Sequence, residues 1–476
     1  MSPRHPVRFA LPSPPVSAAT AILPAAVGAA DILLRWPAGE PLAALVSGGS
    51  DRAHNGWSIF GRPSATVVIP AGAGPAEVRA MLADAFARTP RGGVEAAKGV
   101  AEGVAEGAAA NGRSPRACPF DGGWIVALGY GLGATFEEAL GPTRSGSRAG
   151  SRARHDPAES ATRAPQAVLH WCEDAWIVDH ATGAISAIGT PPALEAPEAS
   201  AWSLSELRCG EGDARFAANV ARTVEYIRAG DAFQANIARR FTTTLVGCAR
   251  SFAHGAITSN GAWFGASIDL PDGGALVSMS PELFLRVGPD GSVVTRPIKG
   301  TRPSTLDARE LMESGKDAAE LAMIVDLMRN DLGRVAEIGS VRVRDARVLE
   351  THSTVHHGVA EVEARLREGV DWLELLAATF PPGSVTGAPK VRAMQIIDEL
   401  EAHPRGFYCG AIGFIARSGH GALNVAIRTA QLSPPDSTGT RPVAYHAGCG
   451  IVVESDPDSE VAETVAKTRA IARFVR

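Results

Sequence analysis

The chain has 476 residues, a formal net charge of -5 and a pI near 6.2, with 45% hydrophobic and 20% charged residues. This balance is typical of a globular protein with room for two or three domains. It argues against a nucleic-acid binder, because no basic surplus is present to neutralise phosphates over a broad face. An anionic small molecule fits, provided that its site is locally positive.

The cysteines and the apolar runs indicate the cellular compartment of the protein. The six cysteines contain no C-x-x-C pair, which argues against structural zinc or a disulfide framework and fits reduced thiols. No stretch reaches 18 uninterrupted apolar residues, so no membrane span is predicted. Arg4 and Arg8 precede an apolar stretch at 18–30 that resembles a signal peptide, but Pro24 interrupts it. We therefore expect a cytoplasmic protein with a ragged start.

The first 200 residues are predicted to form an N-terminal region of short strands and one helix. Two tracts, at 91–116 and 141–166, have few large apolar residues and are predicted to be flexible insertions. A Pro/Ala/Glu-rich linker follows at 190–203, and the main domain boundary is placed there. Strand-like runs are found at 31–36, 56–61, 65–69, 120–130, 167–180 and 184–189. A helix-like run is found at 76–88.

Residues 210–476 are predicted to form a second domain. The apolar spacing of 214–229 is helical and ends at Gly230, a typical C-terminal cap. Strands are predicted at 233–241 and 275–279, and hairpin-like runs follow further along the chain. The predicted fold class is therefore α+β, with antiparallel sheets flanked by helices. The later elements are a helix at 391–400 and strands at 411–416 and 422–432.

Lys299 is the first candidate for chemistry. It lies between a β-favouring run at 292–295 and a rigid turn predicted at 300–303. A lysine amine becomes a nucleophile when burial or a neighbouring cation lowers its pKa, and Arg296 and Arg302 are close in sequence. The alternative is a surface lysine beside a Gly-Pro turn.

Glu282 is the second candidate. It follows the strand at 275–279, where Pro281 ends the sheet and presents the carboxylate at a strand end. A carboxyl group in this position can act as a general acid. The alternative is a turn glutamate in solvent.

Two helical segments carry spaced carboxylates. Asp317 and Glu320 share a helix face, although this spacing is also that of a capping box. Glu460, Glu463 and Lys467 fall within an arc of about 60° on the last helix, where an exposed ion-pair face is the alternative. If the two faces meet, they supply hard oxygen ligands for Mg2+, and Lys467 is then placed to hold a substrate carboxylate.

Two glycine-rich segments are candidate anion sites. The segment 382–390 leads into a predicted helix, so its backbone N–H groups can face an anion. Gly448 and Gly450 follow a strand predicted at 443–446 and can do the same. A lone G-x-G is weak support, and a tight β-turn is the default interpretation there.

Together these residues resemble the chorismate-utilising enzymes, which comprise the large subunits of anthranilate synthase and aminodeoxychorismate synthase, with isochorismate and salicylate synthases as relatives. The resemblance is close over 210–476 and looser in the N-terminal region. It implies an anthranilate-synthase-like compound fold with two large, mainly antiparallel sheets. The stretches that carry it are 230–240, 280–282, 297–301, 320–333, 386–390, 408–415, 427–430 and 448–467.

The resemblance also implies roles for individual residues. Glu320 and Glu463 are expected to bind Mg2+ directly, with Asp317 and Glu460 near it through water. His357 matches the site histidine, although Ala360 stands where the family usually has serine. The residues expected around the substrate are Gly300, Thr301, Thr386, Gly387, Tyr408, Arg428, Gly448, Gly450 and Lys467.

Two positions favour one branch of the family. Enzymes that add water to chorismate use a lysine base where this chain has Gln234, and an amide cannot remove a proton from water at neutral pH. Anthranilate synthases typically have alanine at the position of Lys299. The aminodeoxychorismate synthases have lysine there, as this chain does. The sequence therefore predicts a component I that converts chorismate and ammonia to 4-amino-4-deoxychorismate for 4-aminobenzoate and folate synthesis.

In the implied mechanism, Lys299 attacks C2 of chorismate, Glu282 protonates the departing C4 hydroxyl, and ammonia then displaces the lysine. The chain has no G-x-C-x-G glutaminase turn, so ammonia is expected from a separate glutamine amidotransferase subunit or from solution. No nucleic-acid or membrane partner is expected. The alternatives are anthranilate synthase component I and a non-catalytic homologue that binds chorismate or tryptophan.

Overall fold

The computed structural model describes residues 28–48, 56–89, 118–137, 164–351 and 355–475. Most of both predicted insertions, and the N-terminal stretch at 18–27, lie outside these residues. None of the helices in the described ranges combines the length and apolar character that crossing a membrane requires. The α-helices are α1 Ile32–Arg35, α2 Pro75–Phe86, α3 Gly133–Phe136, α4 Gly212–Arg228, α5 Ala249–Asn260, α6 Ala308–Glu313, α7 Gly315–Gly333, α8 Trp372–Thr379, α9 Lys390–Leu400, α10 Pro457–Lys467 and α11 Arg469–Ala472.

The ladders between the strands are antiparallel. In chain order the strands are β1 Ala43–Val46, β2 Trp57–Ile69, β3 Gly123–Leu128, β4 Ala167–Asp179, β5 Ile185–Ile188, β6 Trp202–Leu204, β7 Arg208–Cys209, β8 Gln234–Gly247, β9 Phe264–Asp269, β10 Ala275–Ser280, β11 Leu283–Val287, β12 Ser292–Arg296, β13 Ile298–Pro303, β14 Arg342–Thr351, β15 Val355–Arg365, β16 Gly387–Ala388, β17 Ala411–Ala416, β18 Gly421–Val425, β19 Thr429–Leu432 and β20 Thr440–Ile451.

Two sheets share one long antiparallel strand pair. Strands β2 and β4 pair along their length, with register shifts between Arg62 and Ala65. Beyond one half of this pair the order is β1-β9-β10-β19-β20-β8, which we name the first sheet. Beyond the other half the order is β3-β17-β18-β11-β12-β15-β14, the second sheet. The predicted α+β fold with two large antiparallel sheets is confirmed.

Apolar side chains fill the space between the sheets and both outer faces. Ile125 and Ala127 of β3 point into a cluster shared with Ile268 of β9, whereas Trp124 and Val126 belong to the outer cluster. This alternation follows the two-residue period of a strand, and both faces are buried because helices cover the outside. Helices α2, α7 and α8 pack on the second sheet, and α1 and α5 pack on the first.

Most predicted elements of the chain are present. The helix at 76–88 corresponds to α2, the helix ending at Gly230 to α4, and the hairpin at 167–189 to β4 and β5. The strand predicted at 31–36 was wrong, because this segment forms a 3-10 turn followed by α1. Ile32, Leu33 and Trp36 are buried. A short apolar run can be buried as a strand or as a helix, and its sequence alone does not distinguish the two.

Candidate active site

The floor of the candidate site is formed by neighbouring strands, β8 and β20. Gly450 pairs with Asn236 and Gly448 with Ala238, so these strands continue through the glycines and the default expectation of a β-turn there was wrong. On the other face of the two strands, Ile237 and Cys449 pack in a cluster with α4 and α9. The glycines leave the site face open.

The side chains around these glycines are polar and buried. A β-carbon on Gly450 would lie 2.8 Å from Gln234 Nε2 and 2.9 Å from Lys299 Nζ, and one on Gly448 would lie 2.9 Å from Asn236 Oδ1. Both amide heteroatoms of Gln234, and Asn236 Oδ1, are buried without a hydrogen-bond partner among the described residues. Buried polar groups rarely remain unpartnered, so these atoms mark a place for a ligand or water.

Lys299 reaches this floor from the second sheet. The rigid turn predicted at 300–303 is instead strand β13, which pairs with β15 and contains a register shift around Gly300. Gly300 has a φ of 80°, and a β-carbon there would lie 2.6 Å from Leu311 Cδ1, so glycine alone fits. Burial lowers the pKa of the Lys299 amine, although the carboxylate of Glu320 opposes this shift. The amine therefore faces the site and is partly activated as a nucleophile.

Glu282 lies between strands β10 and β11, and its side chain is 4% exposed, so the alternative of a solvent-exposed turn glutamate was wrong. Burial raises its pKa to about 7, while a hydrogen bond from Ser384 and the charge of Lys299 pull the pKa down. A carboxyl group with a pKa near neutrality can both donate and accept a proton at physiological pH.

Two helices bring the spaced carboxylates together. Glu320 projects from α7, and burial raises its pKa; the amine of Lys299 counteracts this shift and the carboxylate of Glu463 adds to it. The two carboxylates of α7 and α10 thus lie within electrostatic reach of each other. Asp317 accepts a hydrogen bond from Arg302 Nη2 at 2.8 Å, and Ser314, not Asp317, caps α7.

The donor set on α10 suits a hard cation. Glu460, Glu463 and Cys449 each have a candidate ligand atom within 4.8 Å of the others. Burial raises the pKa of the Cys449 thiol well above its usual range, so the ionised donors of this trio are carboxylates. Glu460 Oε1 accepts from Ser455 at 2.7 Å, whereas Oε2 is buried and accepts no hydrogen bond from the described residues. Carboxylate oxygens with an unused buried acceptor fit Mg2+.

Lys467 bridges the carboxylates and the floor. Its ammonium group lies 2.7 Å from Glu463 and donates to the carbonyl of Gly448 at 2.8 Å. Burial alone would lower the pKa of Lys467, but Glu463 outweighs it and the pKa is raised. Burial would likewise raise the pKa of Glu463, but Lys467 and Lys299 reverse the shift. Both groups are therefore charged at neutral pH.

The remaining predicted residues lie at different distances from this centre. Arg428 has a φ of 49°, and burial lowers the pKa of its guanidinium, which lies within electrostatic reach of Glu282. Thr301 Oγ1 and His357 Nδ1 are 2.9 Å apart on paired strands β13 and β15. Tyr408 is buried and stacks on His446, which lies on the same face of β20 as Gly448 and Gly450, with ring centroids 5.3 Å apart.

The segment 383–390 closes the site against β8. Gly387 pairs with Ala235, and Thr386 accepts a hydrogen bond from Asn236 N at 2.7 Å through its carbonyl. The sequence did not single out Ser384 or Asn236, because neither stands out until the segment is folded against Glu282 and Gly448. Ser384 lies in the glycine-rich segment 382–390, and Asn236 lies in the stretch 230–240 that carries the family resemblance. Their polar character within these two stretches was the available signal.

Comparison with known proteins identifies the family of this chain. A family model described as chorismate binding enzyme matches residues 105–473. The chain belongs to this family. Relatives include aminodeoxychorismate synthase component 1 of Klebsiella aerogenes, 38% identical over 371 residues that cover 74% of this chain and 77% of that protein. Anthranilate synthase component 1 1 of Haloarcula marismortui is 43% identical over 269 residues, which cover 55% of this chain and 53% of that protein.

Solved structures of the family have the same fold. Anthranilate synthase component I from Streptococcus pneumoniae TIGR4 superposes with a TM-score of 0.68 and 26% identity, covering 88% of this chain and 92% of that chain. MenF, the menaquinone-specific isochorismate synthase from Escherichia coli, has a TM-score of 0.66 at 14% identity, which speaks for the fold alone. The relatives thus fix a chorismate-utilising enzyme, while their names divide between different reactions.

Proposed function

We propose that this chorismate-utilising enzyme is an aminodeoxychorismate synthase component I that replaces the C4 hydroxyl of chorismate by an amino group through a covalent Lys299 adduct. The observation that carries the proposal is the placement of the Lys299 amine. It faces the floor beside Gly450 and Gln234 and has a pKa lowered by burial. A desolvated amine inside the site, opposite a carboxyl group with a pKa of about 7, is suited to nucleophilic catalysis with general acid assistance.

In the first half of the reaction, neutral Lys299 Nζ forms a bond to C2 of chorismate. Both conjugated ring double bonds shift by one position, the C4–O bond breaks, and the proton of Glu282 leaves with the hydroxyl group as water. The lysine nitrogen is then a secondary ammonium on the ring, and Glu282 is ionised. Lys467, which donates to the carbonyl of Gly448, and Arg428, which lies within electrostatic reach of Glu282, would hold the substrate carboxylates during this step.

In the second half, ammonia forms a bond to C4, both ring double bonds shift back, and the C2–N bond to lysine breaks. Lys299 departs as a neutral amine, and the new C4 ammonium passes one proton to Glu282. The net change is chorismate plus ammonia to 4-amino-4-deoxychorismate plus water, with both residues regenerated. Two successive displacements return nitrogen to the face from which oxygen left.

Glu320 and Glu463 would hold a Mg2+ ion, with Asp317 and Glu460 beside it. Bound there, the ion would neutralise part of the dianionic charge of the substrate. Its selection rests on the carboxylates of Glu460 and Glu463, which form one cluster with Cys449, and on the buried Glu460 Oε2, which accepts no hydrogen bond from the described residues. Ammonia would come from a separate glutamine amidotransferase subunit, since relatives are named as components of a synthase.

Anthranilate synthase is the second candidate, since relatives with that name reach 43% identity over 269 residues. Against it stands the position of Lys299, because formation of anthranilate requires an amino group at C2, the carbon that the lysine occupies. A non-catalytic homologue is the third candidate, and the buried carboxyl group of Glu282, with its pKa raised to about 7, counts against it.

The decisive test is the product of the purified chain incubated with chorismate, Mg2+ and ammonium, followed by chromatography with and without a 4-amino-4-deoxychorismate lyase. We expect 4-aminobenzoate only when the lyase is added. Anthranilate formed without the lyase would support the second candidate, and unchanged chorismate under both conditions would support the third.

A further inference from the structure

A thiol lies beside the two carboxylates that α10 brings to the edge of the site. Cys449 Sγ, one oxygen of Glu460 and one oxygen of Glu463 all lie within 4.8 Å of one another. We propose that these three side chains form a second, thiol-containing cation site, which takes a thiophilic divalent ion of the zinc class and competes with Mg2+ for Glu463. The competition rests on the magnesium site of the proposed function, whereas the binding of the thiophilic ion does not.

The three donors meet between the rear face of β20 and helix α10. Cys449 is fully buried on the face of β20 that points away from Gly448 and Gly450, and its thiol donates to the backbone carbonyl of Glu460 at 3.3 Å. Glu460 and Glu463 are three residues apart on α10, so their side chains share one face of the helix. Two packed elements of regular structure therefore set the geometry of the cluster.

Glu460 has a buried oxygen to offer to an ion. Its side chain is 5% exposed, and Oε1 accepts a hydrogen bond from the Ser455 hydroxyl group at 2.7 Å. The other oxygen, Oε2, is buried and accepts no hydrogen bond from the described residues. Buried carboxylate oxygens are normally paired, because an unpaired one costs desolvation free energy. An ion bound between Oε2 and the thiol of Cys449 would supply this pairing.

Glu463 gives the ion a way in. Its side chain is 50% exposed, and Lys467 contacts its Oε1 at 2.7 Å, which leaves Oε2 for an ion. Donor atoms around a tetrahedral zinc ion lie about 3.5 Å apart, given bonds of about 2.0 Å to oxygen and about 2.3 Å to sulfur. Rotation of the half-exposed Glu463 side chain can bring its oxygen to this separation, while packing holds Cys449 and Glu460. Water would be the fourth ligand.

The thiol decides which class of ion this site prefers. Mg2+ takes oxygen donors and does not displace a thiol proton, so it would use the carboxylates alone. A zinc-class ion binds sulfur strongly: a metal–sulfur bond to Cys449 replaces the S–H bond, and the proton passes to solvent. The ion, the thiolate and the two carboxylates together carry one net negative charge. The ammonium group of Lys467, which contacts Glu463, neutralises that charge.

Glu463 belongs to both cation sites. In the proposed magnesium site it acts with Glu320 of α7, and in the thiol site it acts with Glu460 and Cys449. Because Lys467 already contacts Oε1 of Glu463, two ions would have to share the other oxygen. Two divalent cations held that close repel each other strongly. Binding of the thiophilic ion should therefore exclude Mg2+ and inhibit the enzyme, and a higher concentration of Mg2+ should relieve the inhibition.

Titration with Co2+ detects the site without turnover. Co2+ stands in for zinc, because a thiolate bound to Co2+ absorbs in the near ultraviolet and a carboxylate does not. We expect the purified parent chain, kept free of oxygen, to develop this band with one Co2+ per chain and to lose it when Zn2+ is added. Cys449→Ser keeps a hydroxyl group that can donate to the carbonyl of Glu460, so the variant should fold and lack the band. Its affinity for Zn2+ should fall by at least about 10-fold, since even a partner that only orients a metal ligand is worth about 10- to 100-fold.

Cys248→Ser is the matched control. Cys248 precedes α5, is less buried than Cys449, and belongs to no cluster of three candidate ligands among the described residues. We expect this variant to keep the band and the Zn2+ affinity of the parent chain. Glu460→Gln should bind Zn2+ more weakly by at least the same margin as Cys449→Ser. A parent chain without the band, a band that survives in Cys449→Ser, or full Zn2+ affinity in Glu460→Gln overturns the proposed site.

The second test measures turnover of chorismate and ammonium with Zn2+ at several Mg2+ concentrations. With Mg2+ above its dissociation constant, a tenfold rise in Mg2+ should raise the half-inhibiting Zn2+ concentration about 10-fold, because the two ions exclude each other. Cys449→Ser should need at least about 10-fold more Zn2+ than the parent chain for half inhibition of its own rate. Inhibition that Mg2+ does not relieve would overturn the competition for Glu463. If the parent chain forms no 4-amino-4-deoxychorismate, the proposed reaction fails, while the cobalt band still decides whether the thiol site exists.

Discussion

Lys299 and Gln234 come from different sheets and approach the same glycine: a β-carbon on Gly450 would lie 2.9 Å from the amine and 2.8 Å from the amide nitrogen. Of these two groups, the amine alone can become a nucleophile near neutral pH, because an amide nitrogen has no available lone pair. The bare backbone of Gly450 leaves space beside the amine. Under the proposed mechanism, this space would receive the ring carbon that Lys299 attacks.

Gly450→Ala tests that space. The added methyl group would displace the Lys299 amine and the Gln234 amide, both flexible ends, so the fold should persist while the amine is misplaced. We expect kcat/KM to fall by about 10²-fold, as misplacements near 1 Å do, with an unchanged circular dichroism spectrum. Gly315→Ala is the control, because a β-carbon there meets no atom within 4 Å. Equal activity in both variants would contradict the packing argument.

Lys299→Ala tests covalent catalysis. Loss of the amine should reduce formation of 4-amino-4-deoxychorismate by about 10³-fold or more, since the variant has no nucleophile for C2. Chorismate should still bind, and calorimetric titration would measure this. In the parent chain, quenching the reaction at low ammonia and digesting the protein should yield a modified peptide containing Lys299. An Ala variant that turns over like the parent would exclude the adduct.

Glu282→Gln separates the cost of burying a carboxylate from its chemistry. The pKa of Glu282 rises from 4.5 to about 7 on folding, so its contribution to stability is fully present below pH 4.5 and is lost as the pH rises through 7. The free energy of unfolding of the Gln variant relative to the parent should therefore increase by about 3 kcal/mol across this range. Urea denaturation at several pH values measures it, and a flat difference would argue against a raised pKa. Turnover should be lost at every pH.

Glu320→Gln and Glu463→Gln test the cation site. Mg2+ should raise the melting temperature of the parent chain, because a ligand that binds only the folded state stabilises it. Either substitution should remove most of this increase, whereas Glu310→Gln, on the exposed surface of α6, should retain it. Chelation with EDTA should abolish turnover, and added Mg2+ should restore it. A full Mg2+ response in both site variants would place the ion elsewhere.

Local sequence was sufficient wherever one element decides its own conformation. The helix that ends at Gly230 could be predicted because its apolar period matches the face that packs, and the strand at 123–128 because its uninterrupted apolar run is typical of a buried strand. The segment at 31–36 failed, since a run of six residues carries too few periods to distinguish strand from helix. The continuation of β20 through Gly448 and Gly450 also escaped prediction, because pairing with β8 overrides the turn preference of glycine.

By itself, the sequence determined which side chains are available: an amine at 299, a carboxyl group at 282 and carboxylates at one-turn spacing on two helices. These features are local, because they follow from residue identity and helix period. Only the tertiary structure decided that Lys299 stands against Gly450, and that burial raises the pKa of Glu282 and lowers that of Lys299. Desolvation and charge coupling depend on which distant segments exclude water from one another, and no single stretch of sequence contains that information.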